Sequence, residues 1–425
     1  MSRSLTSAQK GSLVALLEEV LAGKHPADNI LHRFFRNHPK LGSHDRGFIA
    51  EALYGALRRL EWLRSLGADT PLRLALAALL KIQGMSIRDL APYCNTEDQE
   101  WLKALKANPP VSDSLQVRAD LPAWVLKPLL TQMTEAEVLA LGRSLQQPAP
   151  LDLRVNTHLV SREQAALALQ QEGVATTPTP WSPLGLRVEG HPALSALPTF
   201  KKGWVEVQDE GSQLLGLLVA PRRREMVVDF CAGAGGKTLL LSALMDNTGR
   251  VYAFDLSRHR LDNLKPRLKR SGLSNIHPVL IASETDDRVR RLAGKIDRVL
   301  VDAPCSGLGT LRRNPDLKLR QSPQSVAELT KIQASILKAA ALLVKPGGRL
   351  VYATCSLLAA ENDLQAQQFA ADHPEFIPLH AGDILSAQGV AVSQEERLHL
   401  LPSQHGTDGF FAAVWQRQPS PAQGE

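Results

Sequence analysis

Two cysteines at predicted strand ends and one glycine-rich turn are the residues in this sequence best suited to chemistry. The segment VLVDAPCSGLG, residues 299–309, sets Asp302, Pro304 and Cys305 after an apolar strand, and LVYATCS, residues 350–356, places Cys355 after another. The run DFCAGAGGKT, residues 229–238, turns a buried strand into a helix, and Asp255 closes the next strand in VYAFD. Strand carboxyl ends gather on one edge of a parallel sheet, so both thiols and Asp302 are expected to converge beside the glycine turn. Such a set suits methylation at an unactivated ring carbon. Cytosine C5 is a poor nucleophile until a thiolate adds to C6 and makes C5 enamine-like, able to take a methyl group from a sulfonium. Asp302 supports that step by hydrogen bonding or proton donation at the N3 and N4 edge of the base. A second thiol can then assist expulsion of the first. A single cysteine near a buried strand reads as inert packing; two at strand ends, one beside an acid, read differently.

The glycine turn admits three readings. A P-loop requires glycine six residues before Lys237 and meets Cys231 instead. A dinucleotide fingerprint beginning at Gly233 finds Gly235 and then Thr238 where a third small residue belongs. In an S-adenosylmethionine site, Gly233, Gly235 and Gly236 let the backbone approach a bulky zwitterion while the helix amino end faces its carboxylate. Asp255, about 20 residues beyond the glycines, can accept both ribose hydroxyls, which fits adenosylmethionine and NAD alike. A tight turn with no ligand is the plain alternative.

These residues need a sheet to hold them, and the chain can build one. It has 425 residues, 44% hydrophobic and 22% charged, the make-up of a folded protein with room for about three domains. Residues 12 to 106 show helical periodicity, with Leu13, Leu16, Leu17, Val20 and Leu21 on one face and Ile49, Leu53, Leu57 and Leu60 on another. This predicts a helical domain over 1–110, closed by Asn108-Pro109-Pro110. For Arg58, Arg59, Arg64 and Arg73 along it a solvated polar face is the favoured reading and a dedicated RNA face, which would make this an RNA-binding domain, the alternative. Linker helices and a small α+β module follow over 111–202, carrying DLRVN, a helix from Arg162 to Gln171, and LRVEG. From 203 to 418 strands and helices alternate, so the fold class is α/β with a Rossmann-like doubly wound parallel sheet. In that part Asp209 and Ser212 can cap a helix amino end. Residues 419–425 form a polar tail.

Charge and cysteine usage narrow the function further. The net charge of +6 is compatible with a polyanionic partner without demanding one. The four cysteines, Cys94, Cys231, Cys305 and Cys355, are too sparse for a disulfide framework or a paired metal motif, and the 12 histidines show no ligand spacing. No metal is expected. The start, MSRSLTSAQKGS, lacks an apolar signal core, and runs such as Leu74 to Leu80 fall far short of the roughly 20 residues that span a bilayer. The chain therefore reads as cytoplasmic, with no membrane partner. Arg312, Arg313 and Lys318 follow the Cys305 motif directly, where cations can hold RNA phosphates while a base is extruded into the pocket. For Arg222, Arg223 and Arg224 a solvated loop competes evenly with an RNA contact.

Together, DFCAGAGGKT, VDAPCSGLGTLRRNPDLK and LVYATCS resemble the RsmB/Fmu/Sun-type RNA 5-methylcytosine methyltransferases, the RsmB/NOP family. The likeness extends through LPAWVLKPL, LDLRVN and GWVEVQDEGSQLL, and so over residues 120–415. The pairing of APCSG with TCS carries its specificity. The resemblance implies a NusB-like fold for the amino-terminal helices, Cys355 as nucleophile and Cys305 as the promoter of product release. It also implies that Cys231, Ala232, Gly233, Ala234, Gly235, Gly236, Lys237, Asp255 and Asp302 surround S-adenosyl-L-methionine. Two departures stand out: Ala234 replaces the proline of the usual CAAPGGK loop, and Ser283 occupies the place of an adenine-contacting aspartate. DNA enzymes use the cysteine of a Pro-Cys motif, which keeps Cys305 as the alternative nucleophile. The reading is an adenosylmethionine-dependent RNA cytosine C5 methyltransferase acting on 16S rRNA. Its alternatives are the same chemistry on tRNA or another RNA, a catalytically silent RNA-binding or ribosome assembly factor, and methylation of an exocyclic nitrogen, which needs no thiol.

Overall fold

The computed structural model describes residues 5–107, 112–392 and 395–419. The expected boundary at 108–110 and nearly all of the polar tail lie outside those residues. Two compact units are present: the chain up to Pro148 together with Thr310–Ser325, and Ala149–Gly309 together with the chain from Val326 onward.

The first unit is helical because its apolar residues recur at helical spacing and its helices begin on good caps. Thr6 and Gln9 form a reciprocal capping box at the start of helix Ser7–Leu21. That helix buries Leu13, Leu16, Leu17 and Val20, and helix Ser43–Arg58 meets them with Ile49, Leu53 and Leu57. Helix Pro71–Lys81 is buried from Leu74 to Leu80 and forms the centre of the unit. The linker helices Leu115–Ala119, Ala123–Leu129 and Glu135–Leu145 fall within this unit as well. So does Thr310–Ser325, although in sequence it directly follows the Cys305 motif. Asp120 fastens it. This buried residue sits at φ +56° and accepts the Glu61 and Trp62 amides at 3.1 and 3.2 Å and the Lys318 ammonium at 3.0 Å.

The second unit carries two sheets. Strands β1 (Leu151–Val155), β2 (Thr176–Pro178), β3 (Gly185–Val188) and β4 (Val205–Val207) form an antiparallel sheet in the order β2-β3-β1-β4. The expected boundary at 203 therefore falls too early, because β4 pairs with β1. Helix Arg162–Gln171 covers this sheet through Ala165 and Leu169. The larger sheet contains β5 (Met226–Asp229), β6 (Arg250–Asp255), β7 (Ile276–Leu280), β8 (Ile296–Asp302), β9 (Val344–Thr354), β10 (Phe376–Leu379), β11 (Leu398–Leu400) and β12 (Phe410–Arg417). Its order is β10-β12-β9-β8-β5-β6-β7, with β11 on β12. The strands β7-β6-β5-β8-β9 are parallel, and β12 enters antiparallel beside β9. Chain order runs outward in both directions from β5, so the crevice for a ligand opens at the carboxyl ends of β5 and β8. Their near-continuous apolar runs are covered on both faces, as parallel strands require. Among the described residues no helix is long and apolar enough to cross a membrane.

Candidate active site

The carboxyl ends of β5, β6, β8 and β9 surround a cavity of about 580 Å³. Asp229, Cys231, Ala232, Gly233, Ala234, Gly236, Lys237, Asp255, Asp302, Cys305 and Cys355 all line it. The strand-end convergence expected from sequence is what the fold produces.

The glycine turn is shaped from both sides. Gly233 and Gly235 adopt φ of +56° and +81°, which a side chain resists, and a Cβ on Gly235 would also meet Leu264 Cδ1 at 2.2 Å. Ala234, where the family pattern has proline, fits without either feature. Two of the turn's carbonyls are held by guanidinium groups, one half-buried and one buried. Arg267 donates to the Ala234 carbonyl at 2.8 Å, and Arg154 of β1 donates to the Gly236 carbonyl and the Gln208 amide oxygen, both at 2.5 Å. Burial pulls the Arg154 pKa down to about 10. Glu206 of β4 balances this group by pairing with Arg267 and Arg270. The small sheet thus braces the turn, and helix Gly236–Leu244 presents its amino end to the cavity, an arrangement suited to a carboxylate.

Acidic groups ring the opposite wall. Asp255 is buried and accepts the Gly233 amide at 2.9 Å and the Ser257 amide at 2.7 Å, one on each oxygen. Each oxygen keeps lone pairs for a further donor. Asp229, which the sequence reading assigned no role, accepts from Thr238 Oγ1 at 2.7 Å on Oδ2, while its buried Oδ1 has no donor among the described residues. Burial pushes its pKa up to about 7, against the Thr238 hydrogen bond. An orphaned acceptor on a cavity wall fits a ligand ammonium group. Leu256, Ile281, Ile332 and Ile336 supply apolar surface, and Glu284, held by Ser335, supplies a polar rim. Ser283 is not part of that lining. Its hydroxyl accepts the Thr285 amide at 3.2 Å, and the adenine contact that the resemblance implies for it draws no support from the cavity lining.

Asp302 Oδ2 pairs with Lys237 Nζ at 2.7 Å. Burial opposes the Lys237 charge, yet Asp302, with Cys355 and Asp229, outweighs it and the Lys237 pKa moves up. In this pair Lys237 donates and Asp302 accepts. Cys305 Sγ and Cys355 Sγ stand 3.3 Å apart. The hydrogen bond to Cys355, then burial, pushes the Cys305 thiol well up, so Cys305 stays a thiol. Cys231 is likewise pushed up, by burial and by Asp229, and stays a thiol.

The cations expected at RNA are placed otherwise. Lys318 is 8% exposed and is engaged by Asp120, so its charge is neutralised inside the helical unit rather than offered to phosphate. Arg312 is 5% exposed and is equally unsuited to that role, whereas Arg313 is half-buried. Asp209 does cap helix Glu210–Val219, through the Gly211 amide at 2.8 Å, but Ser212 lies inside that helix and accepts from Gln208.

Comparisons with known proteins point in one direction. A family model described as 16S rRNA methyltransferase RsmB/F matches residues 216–416, and a ferredoxin-like domain model of RsmF/B-like methyltransferases matches residues 121–195. A Synechocystis protein named "Probable ribosomal RNA small subunit methyltransferase B" is 33% identical over 422 residues, covering 91% of this chain and 94% of its own. A Bacillus subtilis protein of the same name is 31% identical over 429 residues, covering 98% and 92%. Among solved structures, a methyltransferase homolog protein from Pyrococcus horikoshii aligns at a TM-score of 0.61 and 26% identity, over 72% of this chain and all of that one.

Proposed function

Since the chain belongs to the 16S rRNA methyltransferase RsmB/F family, we propose that it uses S-adenosylmethionine to methylate C5 of a cytosine in small-subunit ribosomal RNA through a covalent Cys355 adduct. The observation that carries this reading is the pair of thiols 3.3 Å apart on the wall of the glycine-turn cavity. Methylation of nitrogen would need neither sulfur.

The residues present fit the cofactor. The orphaned Asp229 Oδ1 suits its ammonium group, the amino end of helix Gly236–Leu244 its carboxylate, Asp255 its ribose hydroxyls, and Leu256 and Ile281 its adenine. When bound, adenosylmethionine supplies a sulfonium methyl group. Asp255→Ala is expected to weaken its binding roughly 30-fold, about 2 kcal/mol for charge-assisted hydrogen bonds. Calorimetric titration checks this, and an unchanged affinity would discard the ribose contact.

The chain's own groups then divide the reaction. The Cys355 thiolate forms a bond to cytosine C6, and the C5–C6 π pair shifts to make C5 nucleophilic toward the methyl carbon. Asp302 accepts from the exocyclic amine, while Lys237 donates to the ring edge where negative charge develops. Once C5 carries the methyl group, Cys305 passes its own proton to solvent and, as thiolate, takes the C5 proton. The C6–S pair then returns to Cys355 and the aromatic ring is restored. The test is bisulfite sequencing of 16S rRNA from a deletion strain. Loss of one 5-methylcytosine, restored by the gene, is expected; an unchanged 16S pattern rejects this substrate, and a loss in tRNA instead transfers the chemistry to that RNA.

A further inference from the structure

Glu361 is the buried charge that the reaction above leaves unused. Its side chain has no solvent exposure. Oε1 accepts the Ser306 amide at 2.8 Å and Gln333 Nε2 at 3.0 Å. Oε2 accepts the hydroxyls of Ser306 and Ser356, which also approach each other at 3.1 Å. Ser306 is the neighbour of Cys305, and Ser356 is the neighbour of Cys355. Gln333 additionally donates to the carbonyl of Pro304, on the other side of Cys305, at 2.9 Å. Both thiol-bearing turns are thus fastened to one carboxylate.

We infer that Glu361 is a positioning residue that locks the Cys305 and Cys355 turns together and so sets the sulfur-to-sulfur distance at which Cys305 reaches the C5 proton of the Cys355 adduct. The inference rests on the proposed division of labour between the two thiols. Every group facing the Glu361 carboxylate is a donor, and a carboxylate offers about four acceptor sites with no donor of its own. A glutamine there would turn an amide N–H against donors, and an apolar residue would strand four buried groups. Burying a charge costs several kcal/mol unless it is fully hydrogen-bonded, and this one is.

The carboxylate also acts through its charge. The titratable groups around it are Cys305, Cys355 beyond it, and Tyr352 of β9, whose hydroxyl donates to the Glu361 carbonyl at 2.6 Å. After the Cys355 hydrogen bond and burial, Glu361 is a further cause that raises Cys305, and it raises Tyr352 as well. Lys237, across the cavity, is instead influenced by Cys355. The carboxylate thereby adds to what keeps the Cys305 thiol protonated.

The experiment compares Glu361→Gln with the parent in the full chain, using two readouts. In single-turnover methylation the variant is expected to lose at least about 30-fold in rate while adenosylmethionine affinity stays within about twofold. In a Cys355→Ser background, alkylation of Cys305 by iodoacetamide, followed by mass spectrometry across pH, is expected to shift to lower pH. Removing the charge makes it about tenfold faster below the midpoint. A folded variant with an unchanged alkylation profile and methylation rate overturns the inference. Because alkylation needs no RNA, a shifted profile in a protein that methylates no cytosine would reject the reaction proposed above and leave the positioning of the thiols standing. If Glu361→Gln does not fold, the double variant Ser306→Ala, Ser356→Ala keeps the charge and removes the tethers. It is expected to lose methylation rate at an unchanged Cys305 profile, and parental rate in it would equally overturn the inference.

Discussion

Replacing Cys355 by alanine is expected to reduce methyl transfer by at least about 10⁴-fold while leaving adenosylmethionine affinity within about twofold. The size of the loss follows from what remains. Cys305 is the sulfur within 3.3 Å of Cys355, but the shared hydrogen bond and burial keep it protonated. Without Cys355 it loses that hydrogen-bond partner and still faces burial and Glu361, so it is a poor thiolate. Cys231 is held as a thiol by burial and by Asp229, at the floor of the glycine turn. Cytosine C5 then has no means of becoming nucleophilic. Cofactor binding survives because the turn, Asp229 and Asp255 draw their hydrogen bonds from other residues. Transfer of label from methyl-tritiated adenosylmethionine to undermethylated 16S rRNA measures the first quantity, and calorimetry the second. Parental activity in this variant would remove Cys355 as nucleophile and leave the covalent route without its thiolate.

What could be read in the sequence is what depends on local order. The convergence of Asp229, Asp255, Asp302, Cys305 and Cys355 follows from alternating strands and helices, because in a parallel sheet every strand end reaches the same edge. The need for glycine at Gly233 and Gly235 was likewise legible from the strand-turn-helix run. The misreadings are tertiary. Lys318 and Arg312 follow the Cys305 motif by a few residues, yet Thr310–Ser325 packs into the helical unit, where Asp120, 198 residues from Lys318 in sequence, neutralises that ammonium. Proximity in sequence gave no hint of the departure. Ser283 was aligned by its place after a strand, and its hydroxyl takes part in a local turn with Thr285. Glu361 escaped notice because its partners at Ser306 lie 55 residues away, and an acid in a polar turn looks solvated until the turn is seen to be buried. Asp229 was visible as the first residue of the glycine run, but its orphaned oxygen is a property of the cavity alone.

Cys305→Ala carries the other large effect, and its sign distinguishes the two thiols. The nucleophile in this variant is intact, so C6 addition and methylation of C5 proceed. What is missing is the group that takes the C5 proton. General base catalysis contributes about 10² to 10⁴ in rate, so breakdown of the methylated adduct becomes the slow step by that factor and the covalent species accumulates. The geometry supports this assignment: a sulfur 3.3 Å from Cys355 lies within reach of the carbon next to the one that Cys355 has attacked. A slowly migrating protein–RNA band on a denaturing gel is therefore expected from Cys305→Ala with 16S rRNA and adenosylmethionine, approaching one adduct per active site. Digestion and mass spectrometry are expected to find the nucleotide on Cys355. The double variant Cys305→Ala, Cys355→Ala is expected to form no band, since the trap requires the nucleophile. If Cys355→Ala traps the adduct and Cys305→Ala does not, Cys305 is the nucleophile, and the hydrogen bond between the sulfurs runs in the opposite direction from that proposed here.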